Sequence, residues 1–296
     1  LLYNCEVDTI DENDKCAFIN ILNNKISFKA KKLIICCGGI ETVKLIKHSI
    51  KKKKLISIKN KHMIGKCFMD HPKISLGYLL YPKLSILSKI EFKKENKHFH
   101  YVGISLKQNE QIKKKLLNSY IRFEKSNSNQ GDIINILKNK LINKIFSHKR
   151  KIIYKLRLFC EMYPSENNKI ILKNNKTYIQ YKFNKVEYKT IKLLVERVKM
   201  YFSTNPEKEI NLKFSKKQID NNILDASHHM GGLNFNKSVK KTNIDKNLKL
   251  IGLKKIYACS SAIFPSSGSV NPTMTICALA NRLGKYLTKK HNIEKN

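Results

Sequence analysis

Residues 262–290, AIFPSSGSVNPTMTICALANRLGKYLTKK, decide how the chain is read. Asn271 stands at a helix-cap position and Pro272 at the first helical position, where its missing N–H costs nothing. Ile276, Leu279, Ala280, Leu283 and Leu287 follow at helical spacing and predict a buried stripe. The amides of Thr273 and Met274 lack partners at such a helix start. They point, with the positive end of the macrodipole, at whatever lies in front of the cap. That place suits an anion or an electron-rich carbonyl. The SSGSV segment before the cap lets backbone approach a planar group closely.

Upstream, DASHHMGG (225–232) puts His228 and His229 before a Met-Gly-Gly turn. A metal site, a catalytic base and two ordinary loop histidines are the three readings. Two adjacent histidines do not readily face one ion without further ligands, and no zinc-type spacing accompanies them, so no metal is assigned. Near the start, KKLIICCGGIETVKLIKHSI (31–50) reads as a buried strand, a turn at Gly38-Gly39, and a helix. An unbroken apolar run predicts a strand covered on both faces. The glycines would let a ligand come close to the backbone. His71, in Asp70-His71-Pro72, suits an extended structural turn better than catalysis. His48, His62, His98 and His100 have no evident partner.

The rest of the chain carries weaker signals. Residues 1–21 read as a strand and hairpin, and KISLGYLLY (73–81) as a strand. Residues 107–155 show helical periodicity, with 132–146 an amphipathic helix. Residues 151–164 and 168–183 read as two strands joined by a Ser-Glu-Asn-Asn turn, and 185–204 as a strong helix.

A net charge of +37 invites a basic nucleic-acid-binding reading, an alternative of a different class. Yet only five of the 59 basic residues are arginine: Arg122, Arg150, Arg157, Arg197 and Arg282. Phosphate and base recognition favours arginine. Lysine rises here together with asparagine and isoleucine, as AT-rich codons dictate, so a solvated lysine surface is preferred and no specific nucleic acid is expected. The eight cysteines form no CxxC and several lie in apolar runs. They read as reduced thiols, which places the chain in the cytoplasm. No run of about 18 apolar residues predicts a transmembrane segment.

Four blocks, in order, resemble the glucose–methanol–choline (GMC) oxidoreductases, which are FAD-dependent alcohol and sugar oxidases and dehydrogenases. They are KKLIICCGGIETVKLIKHS, IGKCFMDHP, HHMGG and IYACSSAIFPSSGSVNPTMTICALANRLGKYL. The last is highly specific in its spacing; residues 80–220 resemble the family loosely. The resemblance implies FAD as cofactor and a sugar or alcohol CH–OH group as substrate. His228 matches the catalytic histidine, which would take the alcohol proton as hydride moves to flavin N5. Asn271 matches the second catalytic position. A histidine near its ordinary pKa suits a base at neutral pH, and a neutral amide can hold the same oxygen. Gly38, Gly39, Ser260, Ser261, Pro272, Thr273 and Met274 fall at cofactor-binding positions. Ser260-Ser261 stands where many members have Asp before a Gly-Ser pair, the Asp contacting the ribityl part of FAD; the resemblance implies that serine hydrogen-bonds there instead, a change that sugar-oxidising branches accept.

The fold class expected is α/β with an α+β substrate part. Residues 1–72 and 226–296 would form part of a Rossmann-like FAD-binding domain, and 73–225 an antiparallel-sheet substrate domain. None of the eleven glycines forms the GxGxxG of a dinucleotide site. With Leu1 at its start, the chain reads as the C-terminal half of such an enzyme. A GxGxxG-bearing chain or segment would then be its partner. An inactive split-gene or truncated remnant is the alternative.

Overall fold

A computed structural model gives the fold. It describes residues 3, 5–12, 17–21, 27–82, 93–95, 98–100, 103–125, 151–174, 176–204, 209–212, 214–235 and 241–293. The strands in chain order are β1 (Val7–Glu12), β2 (Ala17–Ile21), β3 (Ser27–Ala30), β4 (Leu33–Ile35), β5 (Lys73–Pro82), β6 (Lys93–Glu95), β7 (His98–His100) and β8 (Gly103–Ser105). They continue with β9 (Ser119–Lys125), β10 (Lys151–Cys160), β11 (Lys169–Lys173), β12 (Lys176–Gln180), β13 (Glu209–Leu212), β14 (Ile223–Leu224) and β15 (Ile256–Ala258). The helices are α1 (Gly38–Lys51), α2 (Gln108–Lys114), α3 (Lys185–Ser203), α4 (Lys216–Asn221) and α5 (Thr273–Ile293).

The chain divides into two compact units. The first holds Leu1–Asp70, Met162–Asn184 and Ser227–Asn296. Its β1, β2 and β3 form an antiparallel meander, and α1 buries Thr42, Val43, Ile46 and Ser49. Ser49 Oγ accepts the amide of Ile10 at 3.0 Å, tying α1 to β1. β4 pairs in parallel with β15, Leu33 opposite Ile256 and Ile35 opposite Ala258. Parallel pairing needs a long crossover, and here the strands lie far apart in the chain. The strand-turn-helix at Gly38 forms as expected, but β4 is covered on one face only. Ile35 is buried and Ile34, on the opposite face, is 42% exposed, and β15 is the one strand paired with β4 among the described residues.

The second unit holds His71–Glu161 and Lys185–Ala226. Its antiparallel sheet runs β13-β5-β10-β9-β8, with β14 also on β5. β9 and β10 follow the two-residue period of a half-buried sheet. Ile121, Phe123, Tyr154, Leu156 and Leu158 are buried, while Arg122, Glu124, Lys155 and Arg157 between them are half-exposed. α3 supplies the cover. Its Ile191, Leu194, Val195, Val198 and Phe202 are buried, and Phe202 meets Phe123 edge-on at 5.8 Å between centroids. On the polar side, Arg157 Nε donates to Glu124 Oε2 at 3.1 Å, and Arg122 also pairs with Glu124.

Several sequence expectations change. Residues 168–183 are not one strand but the hairpin β11–β12, turned after Lys173, which faces Lys176. Asn174 takes φ 49°, a left-handed value that asparagine tolerates. The hairpin belongs to the first unit, not to the 73–225 block. Ile170 donates its amide to Gly65 O at 2.7 Å, and Phe68 to Asn168 O at 3.1 Å, and these bonds hold it there. Within the helical reading of 107–155, residues 119–125 are instead strand β9, whose Tyr120, Arg122 and Glu124 alternate with apolar residues. The amphipathic helix at 132–146 lies outside the described residues. Among the described residues, no helix is long and apolar enough to cross a membrane.

Candidate active site

The histidine loop is shaped by three glycines. Gly231 (φ 78°) and Gly232 (φ 95°) take left-handed backbone that other residues rarely adopt. A Cβ on Gly231 would stand 2.1 Å from Cys67 O, and one on Gly232 2.7 Å from Val43 Cγ2. A Cβ on Gly39 would stand 2.2 Å from His229 O. The loop therefore lies directly on the start of α1. Met230 and Met69 exchange two backbone hydrogen bonds of 2.8 Å, and Gly65 donates its amide to Gly232 O at 2.7 Å.

Within this loop the two histidines differ. His229 is half-buried, its ring lies 5.8 Å from that of Phe68, and its carbonyl accepts from Ser261 Oγ at 2.6 Å. It is a packing residue. His228 is half-buried and follows Ser227, a non-glycine residue at φ 59°. Its Nδ1 is shielded from solvent.

The Asn271 loop is held from the same frame. Ser267 Oγ accepts the amide of Met162 at 3.0 Å and donates to its carbonyl at 3.4 Å. The amide of Asp70 meets Met162 Sδ at 3.4 Å. Met69 and Asp70 thus connect, through Met162, the loop of His228 to the loop of Asn271. Met162 carries no sequence signature of this role, and Met69 and Ser267 stand out only as members of the IGKCFMDHP and SSGSV segments, because a methionine backbone and a loop serine have no local mark of it.

Helix α5 begins at Thr273, and Pro272 O accepts the first helical bond, from Ile276 N at 3.0 Å. Pro272, not Asn271, is therefore the capping residue, one position later than the sequence suggests. Asn271 is left exposed, as are Thr273 and Met274, the latter by 81%. The first-turn amides have no helical acceptor, and the turn itself carries no acidic residue. The stripe along α5 is only partly buried: Leu283 is buried, Ile276, Leu279 and Leu287 are half-buried, and Ala280 is exposed. This differs from the expected buried stripe because part of the helix, Leu279 included, faces a cavity bordered by loops. Arg282, for example, donates to Lys246 O at 2.8 Å. Between α5 and these loops lies a cavity of about 460 Å³ lined by Phe235, Ile263, Phe264, Val270, Asn271 and Leu279, among others.

The remaining candidates fall into two sets. Gly38 (φ 74°) faces open space on the side where a Cβ would project, whereas Gly39 is occupied by the histidine loop. Ser260 and Ser261 are buried, and their hydroxyls serve the protein itself. Ser260 Oγ lies 3.2 Å from Thr42 Oγ1 and accepts the amide of Ala262 at 3.3 Å; Ser261 holds His229. His71 is 1% exposed and its ring packs against Phe159, as a structural histidine does. His48, which had no evident partner in the sequence, lies 3.2 Å from Asp8 Oδ1. Among the described residues, no group of three or more His, Cys, Asp and Glu side chains could hold a metal ion.

Residues 160–280 match the family model described as GMC oxidoreductase. A cholesterol oxidase from Acinetobacter baumannii is 30% identical over 73 residues, which is 25% of this chain and 13% of that protein. Pyridoxine 4-oxidase from Mesorbium loti superposes with a TM-score of 0.59 at 10% identity, covering 95% of this chain and 57% of that one. An FAD-dependent oxidoreductase from Chaetomium thermophilum gives 0.62 at 13% identity, covering 98% and 62%. Formate oxidase from Aspergillus oryzae RIB40 gives 0.56 at 13% identity, covering 97% and 60%. At these identities the structural likeness is one of fold. The chain spans less than two thirds of the length of each of these proteins.

Proposed function

We infer, from a chain that carries the GMC oxidoreductase match over residues 160–280 and shares its fold with flavoenzymes of that type, that it acts within an FAD-dependent oxidoreductase on the CH–OH group of a sugar or alcohol. One observation carries the reading: the His228 loop and the Asn271 loop are fastened to a single frame through Met69, Asp70, Met162 and Ser267.

The residues present fit a flavin at the start of α5. The first-turn amides of the exposed Thr273 and Met274, in a turn with no acidic residue, match an electron-rich ring carbonyl. Gly38 offers backbone without a side chain in the way. Ser260 and Ser261 would hold the loop beneath the ring rather than the ring itself. The chemistry supplied by FAD when bound is the acceptance of a hydride from the carbinol carbon.

His228 then takes the hydroxyl proton. Since Nδ1 is shielded, Nε2 is the atom assigned to it. Asn271, exposed, donates its amide N–H to the same oxygen and fixes the carbinol for transfer. The glycine contacts under the loop keep His228 from drifting, which matters because misplacement by about 1 Å can cost 10²-fold. A GxGxxG-bearing segment or chain would supply the pyrophosphate grip, since none of the eleven glycines here forms that motif.

The test is flavin reduction by candidate alcohols and sugars in the chain co-expressed with such a segment. His228→Ala should slow reduction by about 10²–10⁴-fold, the range for loss of a general base, with the yellow absorbance retained. Reduction at the unaltered rate would remove His228 from the chemistry.

A further inference from the structure

Thiols converge where the parallel strands end. Ala258 faces Ile35 in register, and the amide of Cys259 donates to Ile35 O at 2.8 Å. Cys36 and Cys259 are the residues immediately after that last registered pair, just beyond the strand ends. Register neighbours on parallel strands present their side chains to the same face, with backbones about 4.8 Å apart. That separation lies within the roughly 4.4–6.8 Å between Cα atoms that a disulfide spans. The two thiols are unequal in access: Cys36 is exposed and Cys259 is buried. Cys37, also exposed, sits at the cap of α1.

We propose that Cys36 and Cys259 are an oxidation site for hydrogen peroxide, a thiol pair that closes into a disulfide across the ends of β4 and β15. The Cys36 thiolate attacks one peroxide oxygen. The O–O bond breaks, one water leaves after protonation, and Cys36 becomes a sulfenic acid. The Cys259 sulfur then attacks Cys36 Sγ, the S–S bond forms and a second water leaves. Two thiols lose two electrons, and one peroxide is reduced to two waters. The bond joins the residues that lead directly into Gly38-Gly39 and into Ser260-Ser261, so it clamps both turns beneath the histidine loop. It requires no flavin and stands apart from the function proposed above.

The rate has a predictable pH dependence. Burial pushes both thiols above their ordinary values. Cys37 beside Cys36, and Cys36 beside Cys259, push the same way, while Arg282 on α5 opposes the shift at Cys259. The thiolate is the reacting form, so closure should run about tenfold faster at pH 8 than at pH 7.

The experiment treats the full chain with one equivalent of peroxide, alkylates it in denaturant and maps linkages by mass spectrometry. The expected result is a drop from eight titratable thiols to six, a Cys36–Cys259 linked peptide, and full reversal by dithiothreitol. Cys37→Ser should leave that link intact, and Cys259→Ser should abolish it. Eight thiols remaining, or a link from Cys36 to Cys37 or to a second molecule in the unaltered chain, overturns the proposal.

Discussion

A Cβ on Gly39 would stand 2.2 Å from the carbonyl oxygen of His229, and backbone on both sides leaves no flexible atom to yield. Gly39→Ala should therefore destabilise the protein by about 1–3 kcal/mol, the usual range for overpacking. Gly284, inside α5, is the matched control, because nothing lies within 4 Å of its Cβ position. Gly284→Ala should be neutral or stabilising by about 0.5–1 kcal/mol. Urea midpoints of the two variants check this, and equal midpoints would disprove the contact. The residue scale also marks a limit of sequence reading. Asn271-Pro272 located the helix start within one position, since proline acts through its own ring and missing N–H. Ser260 could not be read in the same way. Its hydroxyl partner, Thr42, is 218 positions away, and nothing local distinguishes a serine that meets a cofactor from one that meets a threonine.

At the scale of elements, α3 shows what periodicity conveys. Its buried Ile191, Leu194, Val195, Val198 and Phe202 follow helical spacing, and the sheet they cover alternates with period two. Phe202→Ala should cost about 3–5 kcal/mol, as for other buried phenylalanines, while Tyr201→Ala, at a position 62% exposed, should stay within about 0.5 kcal/mol. Thermal or denaturant unfolding separates them, and similar costs would mean that α3 is not seated on the sheet. The β11–β12 hairpin marks the opposite case. Its strand character was legible, but its turn at Asn174 and its attachment to Gly65 were not. The attachment is a backbone hydrogen bond to a residue 105 positions earlier, 170 against 65, and such bonds leave no side-chain pattern.

For the whole molecule, the charge of +37 is a term that no single contact offsets. The ion pairs present, such as Lys66 and Lys241 on Glu166, are half-exposed or exposed, and pairs of this kind add little individually. Self-repulsion among the surplus lysines should make stability rise with ionic strength. The screening length falls from about 30 Å at 0.01 M salt to about 8 Å at 0.15 M. The melting temperature should accordingly increase between those conditions in sodium chloride, and a flat or falling curve would show that the lysines are too dispersed to matter. Family resemblance was legible from the HHMGG and Asn-Pro-Thr blocks because both are loop chemistry with fixed spacing. The division into units was less so, because it depends on which segments return to which sheet.

The pairing of β4 with β15 sets a timetable for biosynthesis. Strand Leu33–Ile35 leaves the ribosome roughly 220 residues ahead of the strand that completes it. At about 5–20 residues per second, its apolar edge waits on the order of 10–45 s for its partner. The second unit can close during that interval, but the first cannot, since its last segment begins at Ser227. A nascent chain thus carries the Leu-Ile-Ile edge without its β15 partner until Ile256–Ala258 has emerged, and over that interval the edge is open to pairing with other chains.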